Sequence, residues 1–176
     1  MTDFRLQPFA KDDGCAIEIV GKIERLGEML AIEYQLLGDL STIAIDPLLL
    51  APSRKLHLWE TTCFEFFVGI PDTSNYWEFN LSPTGDWNIF HLDDYRQGLQ
   101  NELAFTALPF KLQHRANSLS LELEFDLNQI IPVEQQIEVS ITTVIKSKLP
   151  EISYWALTHC GTEADFHQRD SFILKL

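Results

Sequence analysis

The chain has 176 residues, with 13 lysines and arginines against 26 aspartates and glutamates, a formal net charge of −13, 45% hydrophobic and 11% aromatic residues. Its length suits one domain, its apolar content supports a core rather than disorder, and its charge repels phosphate backbones, which argues against nucleic acid as a partner. No window is apolar enough for a membrane span, the start MTDFRLQPFAKDDG lacks the basic-then-apolar order of a signal peptide, and Cys15, Cys63 and Cys160 form no Cys-x-x-Cys pair; the expectation is a cytoplasmic chain with reduced thiols and no membrane partner.

In chain order, the clear periodicity is two, the period of strands. Ile17, Ile19, Gly21 and Ile23 alternate with polar neighbours after the breaker Asp12-Asp13-Gly14, and Leu30, Ile32, Tyr34 and Leu36 alternate with Met29, Ala31, Glu33 and Gln35 after Arg25-Leu26-Gly27. Residues 63–69, 75–82 and 86–92 carry aromatics on both faces, which predicts strands covered on both sides or lining a ligand groove. Pro71-Asp72-Thr73-Ser74 and Ser82-Pro83-Thr84-Gly85-Asp86 separate them as turns. Asp94 to Glu102 reads as a short helix. Leu119, Leu121, Leu123 and Phe125 form the next alternating strand after Asn117-Ser118, Asp126 to Pro132 a single capped turn, and residues 137–145 and 152–158 two further strands before Cys160-Gly161. About ten strands at this spacing predict an all-β antiparallel sandwich in a single domain, residues 1–176. Its expected core contains Ile17, Ile19, Leu30, Ile32, Phe64, Phe66, Phe79, Leu121, Leu123, Val139 and Ile141.

Three groups of residues offer chemistry. Glu122 and Glu124 share a strand face with Ser120 and Asp126 and no aromatic residue, the pattern of a solvated face. His159, Cys160, Glu163, Asp165 and His167 are ligand-type side chains, but their spacing matches no metal pattern, so no metal site is expected and the stretch reads as a capping loop. Cys63 and Ser82 lack the surroundings of a catalytic nucleophile. The densest segment runs from Leu58-Trp59-Glu60-Thr61-Thr62-Cys63-Phe64-Glu65-Phe66-Phe67 to Tyr76-Trp77-Glu78-Phe79-Asn80-Leu81-Ser82-Pro83-Thr84-Gly85-Asp86-Trp87-Asn88. Alternation puts Glu65 with Cys63 and Phe67, and Glu78 with Tyr76 and Asn80, on defined faces, with Trp59 and Trp87 near the strand ends. Carboxylates and an amide among indoles suit a neutral polyhydroxylated ligand, whose apolar ring faces stack on tryptophan while its hydroxyls donate to the oxygens. The same residues also fit core and rim packing, with Glu65 or Glu78 paired to Arg54, Arg96 or a lysine.

The segments Leu58–Val68 and Tyr76–Asn88 resemble the DOMON-like superfamily, on its branch close to family 9 carbohydrate-binding modules. Trp59 and Glu65 have the spacing of those modules' strand-preceding tryptophan and strand glutamate, Asn80 stands at their asparagine, and residues 165–176 look like the family's closing loop and last strand. The resemblance implies a sandwich of jelly-roll type that binds a carbohydrate or other small polar ligand, catalyses nothing and needs no cofactor. Its implied site is Trp59 as stacking platform, Glu65, Glu78 and Asn80 as hydrogen-bonding groups, Trp87 nearby, and Phe166 or His167 closing the opposite side. Two positions depart from the pattern: Glu78 stands where those modules carry arginine, and Phe166 where a second tryptophan would face the sugar. Other DOMON domains bind haem through methionine and histidine, an alternative for which Met29 is the one internal methionine. A hydrolase using Glu65 and Glu78 as a carboxylate pair, or a protein-interaction module, are the remaining alternatives.

Overall fold

A computed structural model describes residues 1–10, 16–149 and 151–176. The expected turn at Asp12-Asp13-Gly14 lies outside these residues. Among the described residues, thirteen strands form two antiparallel sheets. The smaller contains β1 (Thr2–Arg5), β3 (Ile17–Leu26), β4 (Met29–Gly38), β9 (Phe110–Arg115) and β10 (Ser118–Asp126), in the order β1-β3-β4-β10-β9. The larger runs β2 (Gln7–Pro8), β12 (Ile152–Ala156), β11 (Glu138–Lys146), β5 (Cys63–Gly69), β6 (Tyr76–Leu81), β7 (Trp87–Leu92), β8 (Gln100–Asn101), with β13 (Leu174–Lys175) paired to the start of β11.

The β3–β4 hairpin shows why these segments pair as they do. Leu26 opposes Met29, leaving Gly27-Glu28 as a two-residue loop, and Gly27 takes φ +60 at its first position, a geometry matched to the twist of the strands it joins. That register sends Ile19, Ile23, Leu30, Ile32, Tyr34 and Leu36 to the inner face, where all are fully buried. On the larger sheet Phe64, Phe66 and Val68 of β5, Phe79 and Leu81 of β6, and Val139 and Ile141 of β11 meet them. Phe66 lies opposite Phe79 in the register, and the two rings stack at 4.3 Å. Ile17 of the expected core is half-buried at the margin and packs against it. Glu124 is exposed, and Glu122 meets Lys111 at 3.6 Å on the outer face of the smaller sheet.

The two faces of the larger sheet differ in purpose. The outward positions of β5, β6 and β7 are also buried, in a second apolar cluster of Phe67, Tyr76, Phe90, Leu92, Val144, Ala156, Phe166 and Phe172, with Trp59 packed against it. Loops therefore cover this face. The expected capped turn is present, with Asp126 accepting from the Asn128 N–H ahead of a 3-10 turn at Leu127–Gln129. The expected helix over Asp94 to Glu102 is absent. Asp94 and Gln97 instead bridge across a tight turn that Arg96 enters at φ 52, and Gln100–Asn101 form an edge strand. Short polar side chains that cap helices also close turns, and no apolar stripe here gives a helix anything to bury.

Candidate functional site

A cavity of about 430 Å³ opens on the outer face of the larger sheet. Its floor is strand. In the register Glu65 opposes Asn80 and Phe67 opposes Glu78, so the two glutamates occupy diagonal positions on one face, and Asn80 opposes Asn88 on the far side. The backbone beneath is fixed from the opposite sheet: the Tyr34 hydroxyl, fully buried between the layers, donates to the Glu65 carbonyl at 2.7 Å.

The carboxyl groups are unusual in their surroundings. Glu65 is 2% exposed and its Oε1 has no hydrogen-bond partner among the described residues. Glu78 is 5% exposed and accepts from Asn80 Nδ2 at 2.7 Å, while the Cys63 thiol donates to Asn80 Oδ1 at 3.7 Å. Burial, then the charge of Glu78, pushes the Glu65 carboxyl well above the ordinary carboxylate range, with Cys63 and Thr142 opposing the rise. Burial likewise pushes Glu78 up to about 7, against the Asn80 hydrogen bond and the charge of Arg96. Near neutral pH the pair holds at least one proton, because two adjacent anions without solvent repel one another.

The walls are aromatic and polar. Trp59 sits in a 3-10 turn, Leu58–Glu60, whose preceding residue His57 is in the left-handed region at φ 60. The indole is half-exposed, lines the cavity and packs edge-on against Phe90 at 5.7 Å. On the other side stand Phe166 and His167, with Tyr154 against Phe166 at 5.9 Å. The loop that carries them is tied down twice. Asp165 accepts from the Tyr95 hydroxyl at 2.6 Å, from Arg96 Nη2 at 2.9 Å and from the His167 N–H at 3.0 Å. Burial works against its ionisation, but these donors outweigh it and hold the carboxyl below its ordinary value. Further on, Arg169 lies over Gly69, where any Cβ would collide with the guanidinium, and donates to the Ile70 carbonyl at 3.0 Å.

His167 is set in one protonation state. Its Nδ1 is 2.8 Å from the Tyr76 hydroxyl, whose oxygen accepts from the Arg96 N–H at 3.2 Å. A single hydrogen bond therefore ties the ring to Tyr76 through Nδ1. Burial and the nearby Arg96 push the imidazole down to about 4, and burial pushes Tyr76 up to about 12, so both are neutral at ordinary pH.

Of the residues expected from the sequence, Trp59, Glu65, Glu78, Phe166 and His167 all line this cavity. Asn80 lies fully buried and reaches it through Glu78. Trp87 belongs elsewhere: the alternation that turns Asn88 and Phe90 outward turns Trp87 inward, where it is 4% exposed in the inter-sheet core with the Arg54 guanidinium 4.3 Å from its ring. Met29 stands at the hairpin end of the smaller sheet, so the cavity offers no methionine to a haem iron and the donor set does not fit that group. Arg96, expected from the sequence only as a candidate ion-pair partner of Glu65 or Glu78, lines the cavity with its guanidinium paired to Asp165 instead.

No protein-family profile and no curated protein sequence matches the chain. Among solved structures it is similar to a provisionally assigned carbohydrate-binding protein from Bacteroides uniformis ATCC 8492, with a TM-score of 0.74 at 16% identity over 98% of this chain and 84% of that one. A family 9 carbohydrate-binding module from Caldicellulosiruptor kristjanssonii in complex with glucose aligns with a TM-score of 0.49 at 7% identity over 80% of this chain and 67% of that one. At 16% identity the first likeness is one of fold.

Proposed function

We propose that the cavity binds a carbohydrate of mono- or disaccharide size and that the chain acts as a binding module. The observation that carries this reading is Glu65: a carboxyl group 2% exposed, with one oxygen unpartnered among the described residues, in the floor of a cavity whose mouth holds a half-exposed indole. A buried polar atom without a partner is costly unless a ligand supplies one, and hydroxyl donors beneath an aromatic platform are the chemistry of a sugar. The volume of about 430 Å³ lies in the range of small-molecule sites. The resemblance of residues 58–92 to family 9 modules supports the same class of ligand.

Trp59 is the test. Trp77, Trp87 and Trp155 are buried in the inter-sheet core, so the one half-exposed indole reports on the cavity by fluorescence. A panel of mono- and disaccharides titrated into the protein is expected to yield a ligand that changes this emission. By calorimetric titration, which does not need the indole, Trp59→Ala should weaken that ligand by about thirtyfold, roughly 2 kcal/mol, without altering the unfolding midpoint. No binding by any sugar at concentrations up to about 10 mM, or equal affinity of Trp59→Ala, overturns the reading.

Glycoside hydrolysis is the second reading, favoured by one observation: Glu65 and Glu78 occupy diagonal positions on one strand face in the cavity, and burial pushes both carboxyl groups above their ordinary range, as a general acid requires. Release of aryl alcohol from aryl glycosides, lost in Glu78→Gln with binding retained, would establish it.

A further inference from the structure

We infer that the sugar bound here carries a protonated amine, because the floor presents two buried carboxyl groups, one with an oxygen unpartnered among the described residues, and the described lining offers them no uncommitted cation. This rests on the reading of the cavity as a carbohydrate site and names the class of sugar. Among the described residues Arg96 is the one cation lining the cavity, and its guanidinium is already hydrogen-bonded to Asp165 at 2.9 Å. His167 is neutral, with Nδ1 engaged by Tyr76 at 2.8 Å. The Cys63 thiol beneath the pair is pushed well above its usual range by burial and by Glu65, so it too is neutral.

The walls point the same way. Trp59, Phe67, Tyr154 and Phe166 surround the cavity. Aromatic faces around a pair of carboxylates attract ammonium ions through both ring quadrupole and charge, whereas a neutral sugar gains only stacking and ordinary hydrogen bonds. A hexosamine combines the two features, with hydroxyls for the polar rim and an ammonium for the floor.

Proton balance makes the inference measurable. Without ligand, burial and mutual repulsion keep at least one proton on the pair near neutral pH. An ammonium placed between the oxygens stabilises the anions, so binding expels a proton to solvent. Affinity for the amine therefore rises with pH until the ligand's own ammonium deprotonates. A neutral sugar has no such term.

The experiment is calorimetric titration with glucosamine, glucose, N-acetylglucosamine and cyclohexylamine, in two buffers of different ionisation enthalpy, between pH 5.5 and 7.5. The expected result is that glucosamine binds at least about tenfold more tightly than glucose or N-acetylglucosamine at the higher pH and releases protons, while cyclohexylamine binds more weakly for want of hydroxyls. In Glu65→Gln, which keeps the volume and removes the charge, glucosamine is expected to lose its preference and its proton release. Glucose binding as well as glucosamine, with no proton released by either, overturns the inference and leaves the carbohydrate reading intact. Cyclohexylamine binding as tightly as glucosamine overturns the assignment of a sugar, and no binding by any of the four overturns both readings.

Discussion

Replacing Glu78 by glutamine isolates the cost of the acidic floor. Glutamine keeps the volume and leaves Oε1 free to accept from Asn80 Nδ2, the bond of 2.7 Å that orients the side chain. In the folded chain the Glu78 carboxyl is pushed to about 7 from the ordinary 4.5, so the native state holds its proton more tightly than the unfolded state does. The sign follows: this group's contribution to stability is fully present below pH 4.5 and is lost as pH rises through about 7. Once pH exceeds both values the loss amounts to roughly 3 kcal/mol, which in a chain of this size corresponds to roughly 6–12 °C in the unfolding midpoint. Glu78→Gln has no proton to lose. Urea unfolding in half-unit steps from pH 4.5 to 8.5 is therefore expected to show variant and wild type close together at the acidic end, and the variant more stable by roughly 3 kcal/mol at the alkaline end. The opposing slope from His167 is common to both proteins and cancels. Parallel profiles, or a variant less stable at pH 8, would refute the argument that burial without compensation raises this carboxyl.

Three more predictions follow from the same coordinates. Trp87→Ala removes an indole from the inter-sheet core and is expected to lower stability by about 3–5 kcal/mol in denaturant unfolding, the range for buried aromatics; a loss under about 1 kcal/mol would place Trp87 at the surface instead. Tyr34→Phe deletes the hydroxyl that donates to the Glu65 carbonyl, and should cost about 1 kcal/mol by the same measurement, with no change in sugar specificity. His167, held down at about 4, contributes stability that is present above pH 6.5 and lost as pH falls toward 4; the stability difference between wild type and His167→Asn should narrow over that window, and a constant difference would contradict it.

Period-two alternation made most of the architecture legible, because each strand's burial decides its register and the register decides which side chains meet. Glu65, Glu78 and Asn80 were assignable to faces from the sequence for that reason, and the register of β5 with β6 then placed them together. Trp87 shows the limit: a tryptophan beside a turn looks like a rim residue, yet its parity with Ile89 puts it inside. Arg96 was legible as a candidate partner for the glutamates, but its pairing with Asp165 was not, since that depends on a left-handed turn and on a residue remote in sequence with which it shares no periodic relation. Strand β9 was unreadable for a different reason. It is an edge strand with only Phe110 and Leu112 half-buried, so its pattern is faint.

The floor and the cover of the cavity come from distant parts of the chain, β5 to β7 for one and the loop with Phe166 and His167 for the other, anchored by Arg169 over Gly69. Translation delivers them in that order. The face of β5 to β7 that carries both carboxyl groups is covered by Phe166, His167 and Phe172, so the burial that raises Glu65 and Glu78 is completed by residues about a hundred positions further along the chain. A ligand that touched both floor and cover would favour their docked arrangement by mass action, so occupancy of the cavity would stabilise the covering loop as well as fill the floor.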